Sequence, residues 1–115
     1  MIAVIFEVWI NPEHKQDYLQ QAGKLRELLE AIDGFISVER FQSLIEPEKI
    51  LSLSFFRDEK AVETWRNTIE HRKAQALGRN EYFLDYHLRI TQVIRDYTMT
   101  DREQVPIDSK QVHSA

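Results

Sequence analysis

The sequence predicts an α+β domain with the ferredoxin-like order β-α-β-β-α-β. Three observations predict it. Four segments are rich in β-branched and aromatic residues, which indicates strands. Two segments between them carry apolar residues at helical spacing, and turn residues separate the segments. The 115 residues suffice for one domain. In this order the strands form one antiparallel sheet with both helices on one face.

The first strand and the first helix have clear sequence signals. The segment "IAVIFEVWI" (2–10) predicts the strand, and Asn11 followed by Pro12 predicts a capped helix start. The "DG" pair at 33–34 ends the helix, with Gly34 free to adopt a left-handed conformation. Between these signals an apolar stripe repeats at steps of 4, 3, 4 and 3, comprising Tyr18, Ala22, Leu25, Leu29 and Ile32.

The remaining elements follow in order. "FISVERF" (35–41) and "ILSLSFF" (50–56) predict the second and third strands. Asp58 caps a second helix that ends near Gly78, with Val62, Trp65 and Ile69 on its apolar side. "YFLDYHLRITQVI" (82–94) predicts a long fourth strand. We therefore assign residues 1–97 to one domain and residues 98–115 to a polar tail.

Two strands are apolar on both faces, which bears on oligomeric state. Two helices cover only one face of a sheet, and a solvated second face shows cleaner alternation. The sequence therefore predicts a homodimer in which two sheets pack face to face. The alternative is a monomer with an apolar surface. The tail either wraps the partner subunit or frays. The first strand carries Ile2, Val4, Phe6 and Val8 on one face and Ala3, Ile5 and Trp9 on the other; the third carries Leu51, Leu53 and Phe55 opposite Ile50 and Phe56.

Composition excludes several classes of function. The net charge of −4 disfavours nucleic-acid or anionic-membrane partners, which are bound by clustered Lys and Arg. No apolar run approaches the ~18 residues that span a bilayer. The first residues lack the basic lead of a secretion signal, so we expect none. The absence of cysteine excludes disulfides, thiolate catalysis and Cys-ligated zinc, and makes a cytoplasmic location the default expectation.

Among the four histidines, His71 is the strongest candidate for chemistry. It lies in "TWRNTIEHRK" (64–73), and in a continuous helix it would stand about 120° from Trp65. Both side chains line one pocket if the helix breaks at "RNTI", where Asn67 and Thr68 are weak helix formers. The alternative is that Trp65 is a core anchor and His71 a surface residue. His14 and His113 are expected at the surface and in the tail, and no histidine pair has zinc-ligand spacing.

Charged residues on the strands have structural and functional interpretations. Asp85, His87 and Arg89 alternate on one face of the fourth strand, which is typical of a solvated or interface face with cross-strand ion pairs. Glu7 and Glu39 stand on otherwise apolar strands. Such a carboxylate either has a raised pKa and acts as a base, or it faces the sheet margin or pairs with an arginine such as Arg40.

The order of elements and four segments resemble the antibiotic biosynthesis monooxygenase domain family of dimeric α/β barrels. The segments are "DGFISVERFQS", "LSLSFFRDEKAVETWR", "EHRKAQALGR" and "YHLRITQVIRDY", within residues 1–97. The resemblance implies a homodimer with one pocket per subunit, between helices and sheet. One branch of the family oxidises polycyclic phenols or quinols with O₂, without metal or flavin. The other degrades haem.

The resemblance implies roles for particular residues. In the first branch His71 is the base, Arg72 stabilises an oxyanion, and Trp65, Phe6 and Tyr86 form an aromatic wall around the substrate. The protein then supplies an apolar pocket, a base and orientation. His71 is expected to titrate near neutrality.

The haem branch implies a different set of residues. It uses an Asn on the first strand, a Trp on the second helix and a His as iron ligand. Trp65 matches, His71 follows it more closely than in that branch, and Phe6 or Glu7 stands near the Asn position. The expected function is oxidation of an aromatic or quinol-like molecule without cofactor. The alternatives are haem binding and degradation, or a non-catalytic dimer that binds a small apolar ligand.

Overall fold

The structure, a computed structural model, describes residues 1–112 apart from the side chains of residues 69, 70 and 80. The strands are β1 (Ile2–Ile10), β2 (Phe35–Gln42), β3 (Lys49–Phe56) and β4 (Phe83–Gln92). The helices are α1 (Lys15–Glu30), α2 (Glu59–Arg66), α3 (Ile69–Leu77) and α4 (Ile107–Val112). A 3₁₀ turn (Pro12–His14) precedes α1, and a π-helical turn (Gly78–Tyr82) follows α3.

The predicted ferredoxin-like fold is confirmed. The four strands form one antiparallel sheet in the order β2-β3-β1-β4, so β1 and β3 are central and β2 and β4 are edges. The helices α1, α2 and α3 cover one face. The β1 prediction matches its observed bounds, whereas β4 begins one residue later and ends two residues earlier than predicted. The single predicted second helix is two helices, α2 and α3.

Two predicted caps are present, although Asn11 caps the 3₁₀ turn Pro12–His14 and not α1 itself, which begins three residues later than predicted at Lys15. The Asn11 side chain accepts a hydrogen bond from Glu13 N at 3.1 Å, and the Asp58 side chain accepts one from Ala61 N at 2.9 Å. Gly34 has φ of 91°, and a Cβ built on it would lie 2.8 Å from Ala61 Cβ. The turn after α1 can therefore approach α2 only because residue 34 has no side chain.

The core lies between the sheet and the helices, in two clusters. Residues at even positions of β1 and β3 enter it, since alternate strand residues share a face. The predicted stripe of α1 packs against them. One cluster comprises Ile2, Leu29, Val38, Phe56, Ala61, Val62 and Trp65; the other comprises Val8, Ile10, Tyr18 and Ile50.

The opposite face of the sheet carries apolar residues around an ion-paired trio. Ile5 and Leu53 are directly opposite each other there and are half-buried. Glu7 pairs with Lys49 Nζ at 2.8 Å and with the Arg89 guanidinium. The hydrogen bond from Lys49 and then that from Arg89 lower the pKa of Glu7. The suggestion of a raised pKa is thus wrong, and the pairing interpretation holds with Lys49 and Arg89 as partners.

The tail contains structure that its composition did not predict. It forms the short helix α4, and Val105 just before α4 is buried. His113 lies outside the described residues. Among residues 1–112, no helix is long and apolar enough to cross a membrane.

Candidate functional site

A cavity of about 390 Å³ lies between the sheet and the helices, within the size range of small-molecule sites. All four strands contribute to its floor, and α1, α2, α3 and the π-helical turn form its walls. Tyr86, Leu88 and Ile90 line it from the edge strand β4 and remain exposed. The cavity therefore opens along β4.

The break between α2 and α3 brings two predicted site residues together. The helix α2 ends at Arg66, and Thr68 has an extended backbone with ψ of 147°. Thr68 Oγ1 accepts from His71 N at 3.2 Å and donates to the Trp65 carbonyl at 2.9 Å. The rings of Trp65 and His71 consequently lie in contact, with centroids 4.8 Å apart and planes at 47°. The break on which a shared pocket for Trp65 and His71 depended is therefore present.

Trp65 has two environments. It belongs to the core cluster beneath α2, and it also lines the cavity. A large aromatic side chain can do both because its two edges face different surroundings. The core-anchor interpretation and the pocket interpretation of Trp65 are therefore both satisfied.

The imidazole of His71 is half-buried against the cavity wall. Burial lowers the pKa of His71 to about 4, and the nearby charge of Arg72 adds to this, while the Trp65 carbonyl opposes it. The expectation of titration near neutrality is thus wrong: the ring is neutral at pH 7. Its Nδ1 is buried and has no hydrogen-bond partner among the described residues. The Trp65 carbonyl therefore acts on the ring without forming a hydrogen bond of normal geometry with Nδ1.

The aromatic side of the cavity centres on Phe6. Its ring contacts those of Phe83 and Tyr86 edge-on, with both centroid distances 5.8 Å. Sequence reasoning missed Phe83 because strict alternation places residue 83 on the outer face. A register shift at Trp9/Ile10 sets Phe83 opposite Ile10, and so turns it towards the helices.

Arg72 lines the cavity together with four arginines that sequence reasoning missed. The Arg72 guanidinium donates to Asn67 Oδ1 at 2.7 Å and to Gln75 Oε1 at 3.2 Å. The others, among residues with described side chains, are Arg26, Arg40, Arg66 and Arg79. For Arg40 a signal existed, because it alternates with Val38 on the second strand and so shares its inward face.

The five predicted site residues, Trp65, His71, Arg72, Phe6 and Tyr86, thus lie around one cavity. His87 and Arg89 do not; they project from the outer face of β4, as their alternation along the strand predicts. The part of the chain that the structure describes contains no group of three or more His, Cys, Asp or Glu side chains able to hold a metal ion.

The fold and the cavity define a small ferredoxin-like domain with a ligand-sized site between helices and sheet. A family model described as antibiotic biosynthesis monooxygenase matches residues 1–77. The chain belongs to the antibiotic biosynthesis monooxygenase family.

Relatives and solved structures are consistent with this membership. Jasmonate monooxygenase ABM from Pyricularia oryzae is 50% identical over 93 residues, which are 81% of this chain. The chain spans only 43% of that relative's length. A crystal structure of an antibiotic biosynthesis monooxygenase aligns with a TM-score of 0.72 at 17% identity, over 82% of this chain and 99% of that one. A conserved protein from Methanosarcina mazei aligns with a TM-score of 0.73 at 20% identity, over 79% and 90%. Both structural matches show the fold alone.

Proposed function

We propose that this protein is a monooxygenase that oxidises a small, mostly apolar molecule with O₂ in the cavity, without metal or flavin. The observation that carries the proposal is the Trp65–His71 pair on the cavity wall, with His71 Nδ1 buried and unpartnered among the described residues. A buried polar atom without a partner costs about 1–3 kcal/mol, so a rotation of the imidazole that turns Nδ1 towards a ligand hydroxyl would offset this cost. The aromatic rings of Phe6 and Tyr86 supply an apolar surface for the rest of the ligand.

The chemistry suits an electron-rich substrate such as a phenol or quinol. Its anion transfers an electron to O₂ directly, and the substrate supplies all the electrons. One oxygen atom becomes a carbonyl on the oxidised carbon, and the other leaves as water with the two hydrogens that the substrate loses. Neutral His71 accepts the hydroxyl proton, and the positive charge of Arg72 stabilises the oxyanion. Because burial disfavours the imidazolium, proton transfer requires this neighbouring anion.

The name of the Pyricularia oryzae relative adds jasmonate as a second candidate substrate. When O₂ hydroxylates an alkyl carbon and its second oxygen atom becomes water, O₂ accepts two electrons more than that carbon provides. An external reductant is then required, whereas a quinol needs none. The electron balance therefore distinguishes the two substrates in an assay.

The proposal includes a homodimer formed through the outer face of the sheet. Ile5 and Leu53 lie directly opposite each other on this face and are half-buried. A second copy of the sheet would bury these residues and complete a barrel. We further propose that residues 98–115 wrap the partner subunit. A cytoplasmic location stays a prediction.

The residues present do not fit the haem-degrading set. The first strand offers Val4 and Phe6 to the cavity, neither of which can form a side-chain hydrogen bond. Glu7, the other residue near the expected Asn, faces the opposite side of the sheet and pairs with Lys49 and Arg89. We therefore derive no haem-dependent step. A haem titration tests this: a stoichiometric Soret shift abolished by His71→Ala would establish the haem alternative.

Oxygen uptake tests the proposed function directly. The purified chain is supplied with a hydroquinone, and separately with jasmonate with and without NADPH, while dissolved O₂ and product mass are followed. We expect O₂ consumption and a product containing one atom of ¹⁸O from ¹⁸O₂. His71→Gln should lose most of this activity. His14→Gln is the matched control, because His14 contacts Asp17 at the start of α1 and does not line the cavity.

Other results point elsewhere. If no substrate promotes uptake and haem causes no shift, the non-catalytic ligand-binding alternative stands. If His71→Gln and His14→Gln retain equal activity, the assignment of His71 is wrong.

A further inference from the structure

The cavity is cationic in a protein that is acidic overall. The chain has 19 acidic and 15 basic residues. Among residues with described side chains, the cavity lining includes five arginines and no Asp or Glu. Each arginine comes from a different element: Arg26 from α1, Arg40 from β2, Arg66 from α2, Arg72 from α3 and Arg79 from the π-helical turn. Because acidic residues outnumber basic ones in the chain, composition alone does not explain why arginines from five separate elements meet at one cavity.

Most of these charges are not neutralised within the described part of the chain. Arg26 has a carboxylate partner, with Nε 3.3 Å from Glu30 Oε1. Among the described residues, no ion pair involves the other four arginines, Arg40, Arg66, Arg72 and Arg79. The carboxylates of the other ion pairs do not line the cavity. The positive potential of the cavity is therefore available to a ligand.

Arg40 is the innermost of the unpaired arginines by its environment. It lies on β2 directly opposite Ser52, and it is half-buried while Arg66, Arg72 and Arg79 are exposed. Its Nε is buried without a hydrogen-bond partner among the described residues. A guanidinium that has lost water on one side, with no carboxylate opposite, is stabilised by an anion placed on its open side.

We propose that the cavity binds its substrate as an anion, with the carboxylate of an apolar carboxylic acid held by Arg40 on the floor. The apolar body of the acid then lies against Phe6, Phe83 and Tyr86, and the exposed arginines attract the anion to the opening along β4. The inference rests on the proposed function, since it concerns the same cavity and adds a carboxylate to the mostly apolar, oxidisable substrate proposed above.

Matched acids and esters test the proposal. Jasmonate is compared with methyl jasmonate, and decanoate with methyl decanoate, by isothermal titration calorimetry on the full chain. Each pair shares an apolar body and differs in charge. A hydrogen-bonded ion pair contributes enough to predict that the acid binds about tenfold or more tightly than its ester.

Variants locate the anion site. Arg40→Gln should weaken acid binding about tenfold or more and leave ester binding unchanged, which also shows that the cavity is intact. Arg40→Lys should restore part of the preference for the acid. Arg95→Gln is the control, because this substitution removes the same charge from an exposed residue that does not line the cavity.

The outcomes separate this inference from the proposed function. Equal affinity for acid and ester, no detectable binding of either acid, or equal weakening of both ligands by Arg40→Gln would each overturn it. Acid binding that depends on Arg40, without any O₂ uptake, would support the anion site and contradict the oxygenase.

Discussion

The imidazole of His71 lies against the indole of Trp65, with ring centroids 4.8 Å apart. The contact depends on the two-residue break between α2 and α3, and on the Thr68 hydroxyl that bridges the ends of both helices. The burial that creates the contact also keeps the imidazole neutral at pH 7. One local feature of the backbone therefore sets both the position and the protonation state of the proposed base.

The lowered pKa of His71 predicts a pH-dependent stability. The pKa falls from an ordinary 6.5 to about 4 on folding, so between these values the unfolded chain binds the proton more tightly. Stability should be unaffected above pH 6.5 and should fall as the pH drops towards 4, by at most roughly 3 kcal/mol. Urea unfolding of the native chain and of His71→Gln, at intervals from pH 7 to pH 4, measures this.

The informative quantity is the difference between the two proteins. Glu7, Asp33 and Asp58 also have lowered pKa values, and they contribute equally to both. The difference between native chain and variant should change below pH 6.5. A constant difference across the range would contradict a buried, neutral imidazole.

Loss of the Thr68 hydroxyl should lower both the stability of the fold and the activity. Thr68→Val keeps the shape of the side chain but removes the N-cap of α3 and the bridge to the Trp65 carbonyl. We expect a loss of about 1 kcal/mol in the free energy of urea unfolding, and reduced O₂ uptake. Thr64→Val is the control, since the exposed Thr64 hydroxyl donates only to the Lys60 carbonyl within α2. Similar behaviour of both variants would show that the bridge does not position His71.

The surroundings of two glycines predict that replacement by alanine lowers the stability of the fold at one position and raises it at the other. Gly34→Ala places a Cβ 2.8 Å from Ala61 Cβ at a residue with φ of 91°, so it should destabilise the fold by about 1–3 kcal/mol. Gly23→Ala lies in α1 with open space around it, and should stabilise by about 0.5–1 kcal/mol. Urea unfolding at pH 7 measures both. Stabilisation by Gly34→Ala would contradict the tight turn.

The proposed dimer predicts that a charge placed on the outer face of the sheet prevents the two subunits from assembling. Ile5→Lys places an ammonium on the outer face between Leu53 and Arg89, neither of which offers a negative charge, so the proposed dimer would bury an uncompensated charge there. The particle mass, measured by light scattering coupled to gel filtration, should then fall from twice the chain mass to the single-chain mass of 13.7 kDa. Leu44→Lys, in the β2–β3 loop and fully exposed, should remain dimeric. A native chain that is monomeric at micromolar concentration would exclude the dimer.

Sequence patterns predicted much of the fold because the relevant signals are local. Alternation fixes which residues of β1 and β3 meet the helices, and the stripe from Tyr18 to Ile32 fixes the inward side of α1. Weak helix formers at Asn67 and Thr68 indicated the break. All five predicted site residues consequently lie at one cavity.

The features that escaped prediction depend on long-range packing. The pKa of His71 depends on burial, which its neighbours in sequence do not specify. Phe83 faces the cavity through a register shift between β1 and β4, which has no counterpart in a single segment. The cationic lining arises from five elements, and each contributes an unremarkable single arginine, such as Arg40.

The two-residue link between α2 and α3 also bears on how this family diversifies. An α-helix advances about 100° per residue, so inserting or deleting one residue in the link would rotate a different side chain of α3 towards the ligand. The sheet and its cluster beneath α2 would be left in place. New chemistries in this scaffold are therefore accessible to small changes of chain length, and we expect natural variants to differ in the spacing between these two helices.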